Sequence, residues 1–205
     1  MKLFIARPSP FSRKVLVVAQ EGGAFDDLEL AYVTGNALDP QTLPVAHNPL
    51  GKIPTLVLNN GQSLYDSRVI CRYLCEKYAP QLLDVRDTWA DAVLEATADG
   101  LMEAAVLIVY ETRLRPAEVQ FQPWIDGQWQ KIERSLRMFE AALVQNSEYL
   151  NVSFSLGHIA LACALGYIDF RMPEKSWRES YPHLSAWEKK IADRPSFAMT
   201  RPEAE

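Results

Sequence analysis

The hydrophobic pattern of the chain changes once, near residue 78, and this change constrains the fold more than any other feature. Before it, "KLFIA" (residues 2–6) and "LELAYV" (residues 28–33) have the short apolar runs of strands, with a helical pattern between them. "TLVLNNGQSLY" (residues 55–65) is typical of a β-hairpin that turns at an Asn-Gly pair, and a helix is expected to follow it. The resulting order, βαβ followed by ββα, predicts a small mixed sheet with helices packed on it.

The rest of the chain has long helical periodicity without further strand signals. In "WIDGQWQKIERSLRMFEAALVQ" (residues 124–145) apolar residues recur at helical spacing and form a complete amphipathic face. "SLGHIALACALGYIDF" (residues 155–170) is apolar on nearly all sides, so we expect it to be the central helix of a second domain. The predicted organisation is an α/β domain over residues 1–78, a linker over 79–86 and an all-helical domain over 87–205.

Charge and hydropathy exclude two classes of partner. The net charge is -5 and the 21 Lys and Arg residues are dispersed, whereas nucleic acid or an anionic membrane requires a basic patch. No apolar run approaches the roughly 18 residues of a membrane span, and "MKLFIA" is interrupted at Arg7 and Pro8 before it reaches the length of a signal peptide. We therefore expect a cytoplasmic protein that binds neither nucleic acid nor a membrane.

The cysteines indicate neither a disulfide framework nor a metal site. Cys71, Cys75 and Cys163 are odd in number and lack the spacing of zinc ligands. Buried thiols of the core are the simpler interpretation, and no metal is expected.

Two segments of the first domain are suited to hold an extended, amino-acid-like ligand. In "NPLGKIPTL" (residues 48–56) a cis bond before Pro54 would turn the Ile53 backbone outward, ready to pair with a peptide-like ligand; the alternative is a simple turn. In "YDSRVICRYL" (residues 65–74) the first-turn N–H groups and Ser67 favour a carboxylate, and Asp66 would attract an ammonium. The alternative there is that Asp66 or Ser67 is only a helix N-cap.

These segments, together with "SPFSRKV" (residues 9–15), resemble in order and spacing the glutathione-binding half of the glutathione S-transferase family. The helical half, including "RPSF" near the end, is similar to that family too, so the resemblance covers almost the whole chain. "ADGLMEA" and "ALGYIDFR" resemble a serine-type bacterial branch. The resemblance implies a thioredoxin-like domain that binds glutathione as co-substrate, an all-α domain that lines the second-substrate site, and a homodimer.

The family pattern also implies roles for individual residues. The glutathione cysteinyl backbone would pair with Ile53 ahead of Pro54, the γ-glutamyl carboxylate would bind at Ser67, and the ammonium would lie near Asp66. Further candidates for glutathione are Lys52 for the glycine carboxylate, Asn48 or His47 as its assistants, and Asp99 from the neighbouring subunit, which is otherwise a solvated helix face. An apolar or aromatic second substrate would contact Phe11, Val106, Tyr110 and Arg113, of which the last three are otherwise ordinary surface or core residues.

Departures from the family pattern bear on the catalytic residue. Arg7 and Pro8 stand where other members carry a tyrosine, and Ser9 stands where the disulfide-forming members carry a cysteine. Ser9 precedes Pro10, a favoured first helical residue, and is therefore expected to be an N-cap whose hydroxyl donates to the glutathione thiolate. The alternative is Ser12, inside the first turn.

Two interpretations are open for Arg13 and Lys14: they add positive potential at the catalytic serine, or they are solvated, and solvation is the one expected. His158 is expected to be structural rather than catalytic. His158 follows Ser155 by three positions where the family usually has an aspartate, which suggests a weaker helix cap.

Three functional classes compete on this evidence. The first is an enzyme that conjugates glutathione thiolate to small apolar electrophiles, as in detoxification. The second is a glutathione-dependent isomerase, dehalogenase or peroxidase, and the third is a non-catalytic glutathione-binding or interaction module. A serine hydrolase is set aside because the chain has no GxSxG motif. Retention of Ser9, Ile53-Pro54 and Asp66-Ser67 together favours ligand binding over a scaffold without a ligand, and it does not choose among the glutathione reactions; transfer to small electrophiles is the leading expectation.

Overall fold

The computed structural model describes residues 1–83, 85–151 and 153–202, and it divides into two compact units. The N-terminal unit comprises Met1–Val85 and the segment that begins at Pro195, and the helical unit is Arg86–Arg194. The predicted linker over 79–86 contains a short 3-10 helix at Pro80–Leu82. Asp84 of that linker lies outside the described residues.

The N-terminal unit is built on a four-stranded mixed sheet, as the sequence predicted. Its strands are β1 (Lys2–Ile5), β2 (Glu29–Tyr32), β3 (Thr55–Val57) and β4 (Ser63–Leu64), in the order β2-β1-β3-β4. β1 pairs in parallel with β2 and antiparallel with β3, and β3 pairs antiparallel with β4. With helices α1 (Pro10–Glu21) and α2 (Ser67–Tyr78), this is the thioredoxin-like arrangement, and the prediction of fold class is confirmed.

Helix α1 buries its apolar face, and it also buries two cations. Val15, Val17 and Val18 are almost completely inaccessible. The prediction that Arg13 and Lys14 are solvated is wrong, because Arg13 is 9% exposed and Lys14 is 0% exposed. Because a cation is rarely buried without compensating interactions, these two residues must be held by their surroundings.

The helical unit contains α3 (Thr88–Leu114), α4 (Gln122–Val144), α5 (Glu148–Asn151), α6 (Leu156–Arg171), α7 (Trp177–Ser180) and α8 (Pro182–Ala192). Helix α6 is buried along nearly its whole length, which confirms it as the central helix. Its second residue, Gly157, permits close approach to α3: a Cβ atom there would lie 2.6 Å from Oδ1 of Asp91. Helix α4 turns Ile132, Leu136 and Phe139 inward, as its periodicity predicted.

After the helical unit the chain returns to the N-terminal unit. Helix α9 (Pro195–Ala198) packs against α1. A guanidinium N–H of Arg13 donates to the Phe197 carbonyl at 3.3 Å, and the Ser196 hydroxyl donates to the Glu21 carboxylate at 2.5 Å. From Pro195 onward, the "RPSF" segment is therefore part of the unit that carries α1.

The three cysteines, Cys71, Cys75 and Cys163, are all buried. In the part of the chain that the structure describes, no helix combines the length and the apolarity needed to cross a membrane.

Candidate active site

The register of the sheet brings the three predicted binding segments to one edge of the N-terminal unit. Phe4, near the end of β1, pairs with Thr55 at the start of β3, so the segment after β1 and the segment before β3 lie at the same edge. Leu56 pairs with Leu64, the last residue of β4, so the residues that follow β4 reach that edge too. The start of α1, Ile53-Pro54 and the start of α2 are thus assembled by strand pairing alone.

Ser9 is the N-cap of α1. It has an extended backbone (φ -80°, ψ 122°), Pro10 follows as the first helical residue, and the Ser9 hydroxyl oxygen accepts the Ser12 N–H at 3.2 Å. Among the described residues this hydroxyl accepts one hydrogen bond and donates none. Its proton is therefore available to an acceptor at the positive end of the helix, beside the first-turn N–H groups.

Ser12 does not share this position. It is buried, and its hydroxyl oxygen lies 3.4 Å from the Ala6 N–H, which donates to it. Ser12 therefore ties the end of β1 to the first turn of α1, and the alternative that assigned it the catalytic role is not supported by its position.

The segment before β3 is held from behind by Asn48. The Ile53-Pro54 bond is cis. The buried Asn48 amide donates to the Lys52 carbonyl at 2.9 Å and to the Thr55 hydroxyl at 3.2 Å, and its oxygen accepts the Leu50 N–H at 3.0 Å. All of these partners are internal, so the Asn48 amide supports the loop.

At the start of α2 the structure shows the N-cap that the sequence offered as one of two alternatives. Asp66 is the N-cap and accepts the Arg68 N–H at 3.0 Å, and its second oxygen lies 3.1 Å from the Arg68 guanidinium. Burial acts to raise the pKa of Asp66, but the hydrogen bonds and charge of Arg68 and the charge of Lys14 outweigh it, so this pKa lies below its ordinary value. Asp66 is thus an ionised cap. Ser67, 3% exposed, is the first helical residue behind it.

Lys14 contributes a positive charge to this edge of the sheet, although the sequence predicts that its side chain is solvated. It is fully buried in α1, which packs against α2, and its charge acts on Asp66. A buried charge on a neighbouring helix gives no local signal in the sequence, because its partner lies about fifty residues away along the chain.

The remaining candidates of the N-terminal unit lie at its surface. Lys52 is exposed, Phe11 is half-buried in the first turn of α1, and the exposed His47 stacks on the Phe4 ring with 5.5 Å between ring centroids.

In the helical unit, the second-substrate candidates share one face of α3. Val106, Tyr110 and Arg113 are successive helical turns apart; Val106 is half-buried, and Tyr110 and Arg113 are exposed. Asp99 lies farther back on the same helix and is buried within the chain, where an interaction with another part of the chain holds it. The alternative that Asp99 belongs to a solvated helix face is therefore wrong.

His158 belongs to a buried polar cluster at the start of α6. Its Nδ1 lies 2.6 Å from the hydroxyl of Ser155, the N-cap, and that hydroxyl donates to the Asp91 carboxylate. Burial lowers the pKa of His158. The charge of Asp91 and the Leu150 carbonyl act to raise this pKa, but burial outweighs them. The cluster joins α6 to α3, so the cap is reinforced by Asp91 rather than weakened. The structural role predicted for His158 agrees with this position.

Among residues 1–83, 85–151 and 153–202, no three His, Cys, Asp or Glu side chains lie close enough together to hold a metal ion.

Comparison with known proteins gives a consistent match over both units. A model of the glutathione S-transferase N-terminal domain matches residues 8–77, and one of the C-terminal domain matches residues 122–190. The chain is 36% identical over 207 residues to the uncharacterized GST-like protein YibF of Escherichia coli K12, with 98% of each chain covered.

Solved structures resemble the chain closely. A glutathione transferase family member from Pseudomonas fluorescens Pf-5 with bound glutathione has a TM-score of 0.92 at 42% identity, with 99% of each chain covered. A structure from the same organism with bound S-(propanoic acid)-glutathione has a TM-score of 0.87 at 43% identity, with 100% of each chain covered. On the fold, the domain models and these identities, the chain belongs to the glutathione S-transferase family.

Proposed function

We propose that this protein binds glutathione at the edge of its N-terminal sheet and conjugates the thiolate to small, apolar or aromatic electrophiles. The observation that carries the proposal is the Ser9 hydroxyl, which caps α1 as an acceptor and keeps its own proton for a ligand. The proposal is also supported by a similar protein from Pseudomonas fluorescens Pf-5, which was solved with bound S-(propanoic acid)-glutathione, an S-substituted glutathione.

Conjugation requires the glutathione sulfur to be a thiolate at neutral pH. An ordinary thiol has a pKa of about 8.5, and a helix N-terminus lowers it by stabilising the anion. Ser9 would add one hydrogen bond to the sulfur. The thiolate then forms a C–S bond to the electrophilic carbon while the bond to the leaving group breaks, and the thiol proton has already passed to solvent. Ser9 acts as a donor and not as a nucleophile.

The rest of the edge suits the remainder of glutathione. The Ile53 backbone would pair with the cysteinyl residue, Ser67 and the free N–H groups of α2 would bind the γ-glutamyl carboxylate, and ionised Asp66 would hold the ammonium. Lys52 is the proposed partner of the glycine carboxylate. Asn48 has a positioning role, because its amide groups are all used within the loop.

A homodimer is part of the proposal. Helix α3 exposes a stripe of residues spaced alternately by four and three, which is the pattern of a helix that packs against another helix. The stripe consists of Trp89, Val93, Ala96, Gly100, Glu103 and Leu107. A contact of Asp99 with the partner's glutathione would require its side chain to leave its buried position on dimerisation. A protein that sediments as a monomer at micromolar concentration contradicts the homodimer and that contact.

The assignment to the serine-type bacterial branch is also proposed, and it is supported by Ser9 at the cap position and by the similarity to bacterial proteins. A cytoplasmic location is proposed as well.

Calorimetric titration with glutathione tests the binding site directly. We expect saturable heat at millimolar glutathione for the wild type, a clear loss of affinity for Ser67→Ala, and no change for the control Ser63→Ala in β4. No heat for the wild type, or equal affinity for Ser67→Ala, would remove the assigned site.

Turnover separates the competing reactions. Electrophiles such as aryl halides, haloacids and hydroperoxides are each supplied with glutathione, and the conjugate, the halide ion and oxidised glutathione are measured. Conjugation predicts S-substituted products. Activity only with hydroperoxides would favour a peroxidase, and activity with none of the panel would favour a binding module.

A further inference from the structure

Arg13 is a buried cation one helical turn after Ser9, and the proposed function does not use it. Its side chain is 9% exposed, and its backbone N–H donates to the Ser9 carbonyl at 3.0 Å. Because the side chain is not solvated, two roles are left for its charge: it joins helices, or it acts on the site at Ser9. The simpler interpretation is that it joins α9 to α1.

Two contacts with Phe197 fix the guanidinium of Arg13. A terminal N–H donates to the Phe197 carbonyl at 3.3 Å, and the guanidinium carbon lies 5.4 Å from the centroid of the Phe197 ring. Phe197 is itself 1% exposed, and both residues belong to the N-terminal unit. The charge is thus held inside the unit that carries Ser9, at a position where solvent and salt screen it little.

No carboxylate pairs with this charge in the described part of the chain. There, the guanidinium forms no ion pair, its one hydrogen bond goes to a carbonyl, and its Nε is buried without a partner. Burial of such a group costs free energy, because the charge and the unmet N–H both lose water. An apolar side chain of similar length would join the two helices at a lower cost. The joining of helices therefore does not explain why this residue is charged.

The other charged groups around α1 do not cancel the charge of Arg13. Asp66 is offset by Lys14, whose charge acts on it, and by Arg68, with which it pairs at 3.1 Å. Arg7, before the helix, is exposed and has the same sign as Arg13, and the charged residues farther along α2 are exposed. The acidic residues nearest to α1 along the chain stand at its opposite end or beyond it, at Glu21, Asp26 and Asp27.

We propose that the buried charge of Arg13, held in place by Phe197, stabilises the glutathione thiolate at the N-terminus of α1. This inference rests on the proposed function. Arg13 follows Ser9 by four residues, about 6 Å along the helix axis, and long side chains in a helix extend back toward its N-terminus. Because Arg13 is buried, its charge acts through the fold and not by contact. At such a distance a unit charge shifts a pKa by roughly 0.5–1 unit.

The pKa of the bound thiol measures this effect. Ultraviolet absorbance of the thiolate, followed against pH, is compared between the glutathione complexes of the wild type and of Arg13→Met. We expect the pKa to rise by roughly 0.5–1 unit in Arg13→Met, and kcat/KM at neutral pH to fall about three- to tenfold with the thiolate fraction. Arg13→Lys keeps a charge without the planar fork and should restore a pKa near that of the wild type. Arg13→Gln keeps a donor for the Phe197 carbonyl and gives the same test should Arg13→Met fail to fold.

Ser196→Ala is the matched control for the joining of helices. It removes the hydrogen bond from α9 to Glu21 of α1 and changes no charge. It should lower Tm and leave the thiol pKa unchanged. If Ser196→Ala shifts the thiol pKa as much as Arg13→Met does, the effect comes from the packing of α9, and the inference fails.

Arg13→Met in a Ser9→Ala background shows whether the charge acts on the sulfur or only through the serine. Independent effects add, so the shift in thiol pKa should be the same in both backgrounds within about 0.3 unit. A shift that disappears in Ser9→Ala means that Arg13 only orients the serine, which overturns the electrostatic role.

The outcomes distinguish the inference from the function on which it rests. A wild type that binds no glutathione, or whose bound thiol titrates near the ordinary value of about 8.5, overturns the proposed function and the inference together. A lowered pKa in the wild type that Arg13→Met and Arg13→Gln leave unchanged overturns the inference and leaves the role of Ser9 standing.

Discussion

Replacing Ser9 with alanine removes two hydrogen bonds that differ in free energy. One caps helix α1, and the other is the proposed hydrogen bond from the Ser9 hydroxyl to the glutathione thiolate. The fold loses the acceptor of the Ser12 N–H, which now lies at 3.2 Å. Loss of an N-cap costs about 0.5–2 kcal/mol. For a chain of this length, that corresponds to a fall in Tm of roughly 1–8 °C.

The chemical loss is expected to be larger. A hydrogen bond from the Ser9 hydroxyl to a thiolate is charge-assisted and contributes about 1.5–3 kcal/mol. Because one pKa unit corresponds to about 1.4 kcal/mol, the pKa of the bound thiol should rise by about 1–2 units. Turnover at neutral pH should then fall roughly 10- to 100-fold wherever the thiolate concentration limits the rate. Glutathione affinity should change little.

Two measurements and one control separate these effects. Ultraviolet absorbance of the bound thiolate, followed against pH, reports the thiol pKa, and the pH dependence of kcat/KM should shift with it. Ser12→Ala is the control, because it removes a structural hydrogen bond from the same turn and should lower Tm without shifting the thiol pKa. If Ser9→Ala lowers Tm alone and leaves the thiol pKa and turnover at wild-type values, Ser9 is a cap without a catalytic role.

Three further predictions concern the surrounding structure. In the folded protein the pKa of His158 lies below its ordinary value of 6.5. As pH falls below about 6.5, His158 therefore takes up a proton in the unfolded chain before it does so in the folded protein. The free energy of unfolding should then decrease by up to about 1.4 kcal/mol per pH unit until the folded pKa is reached. Denaturant titrations at pH 5–7 should show this loss, and His158→Gln should flatten it; an unchanged slope would refute the assignment. Gly157→Ala should destabilise the protein by about 1–3 kcal/mol because its Cβ would meet Asp91, whereas Gly127→Ala in α4, with no atom within 4 Å of that Cβ, should be neutral or stabilising in thermal melts; equal effects would contradict the close approach. Asn48→Ala should raise the Kd for glutathione with little change in kcat, since it loosens the Ile53 segment without touching the thiol, and a fall in kcat alone would place Asn48 in the chemistry.

Much of the N-terminal fold could be predicted because its signals are local. The Asn-Gly pair places the hairpin between β3 and β4, and the Pro10 signal places the cap of α1 at Ser9. The central helix α6 was also predictable, because a helix that is apolar on all sides has only the core to occupy.

The rest depended on contacts between distant parts of the chain. Lys14 and Arg13 have the composition of solvated residues, and only the packing of α2 and α9 against α1 buries them. Asp91 and Ser155 are 64 residues apart, so nothing near His158 in the sequence indicates that Asp91 completes its cap. The Asn48 amide forms its hydrogen bonds within its own loop because of the path that the loop takes, and that path cannot be predicted from the residue type.

Because α9 returns to α1, the N-terminal unit is built from two separate stretches of the chain, and this determines when the unit can finish folding during translation. Phe197, almost completely buried, and Ser196 supply contacts to Arg13 and Glu21. During translation, α1 therefore emerges long before the residues that cover it, and the whole helical unit is made in between. The unit that carries Ser9 can acquire its final packing only after residue 197 has left the ribosome, so nascent chains stalled before that point should be more sensitive to protease around α1 than released ones.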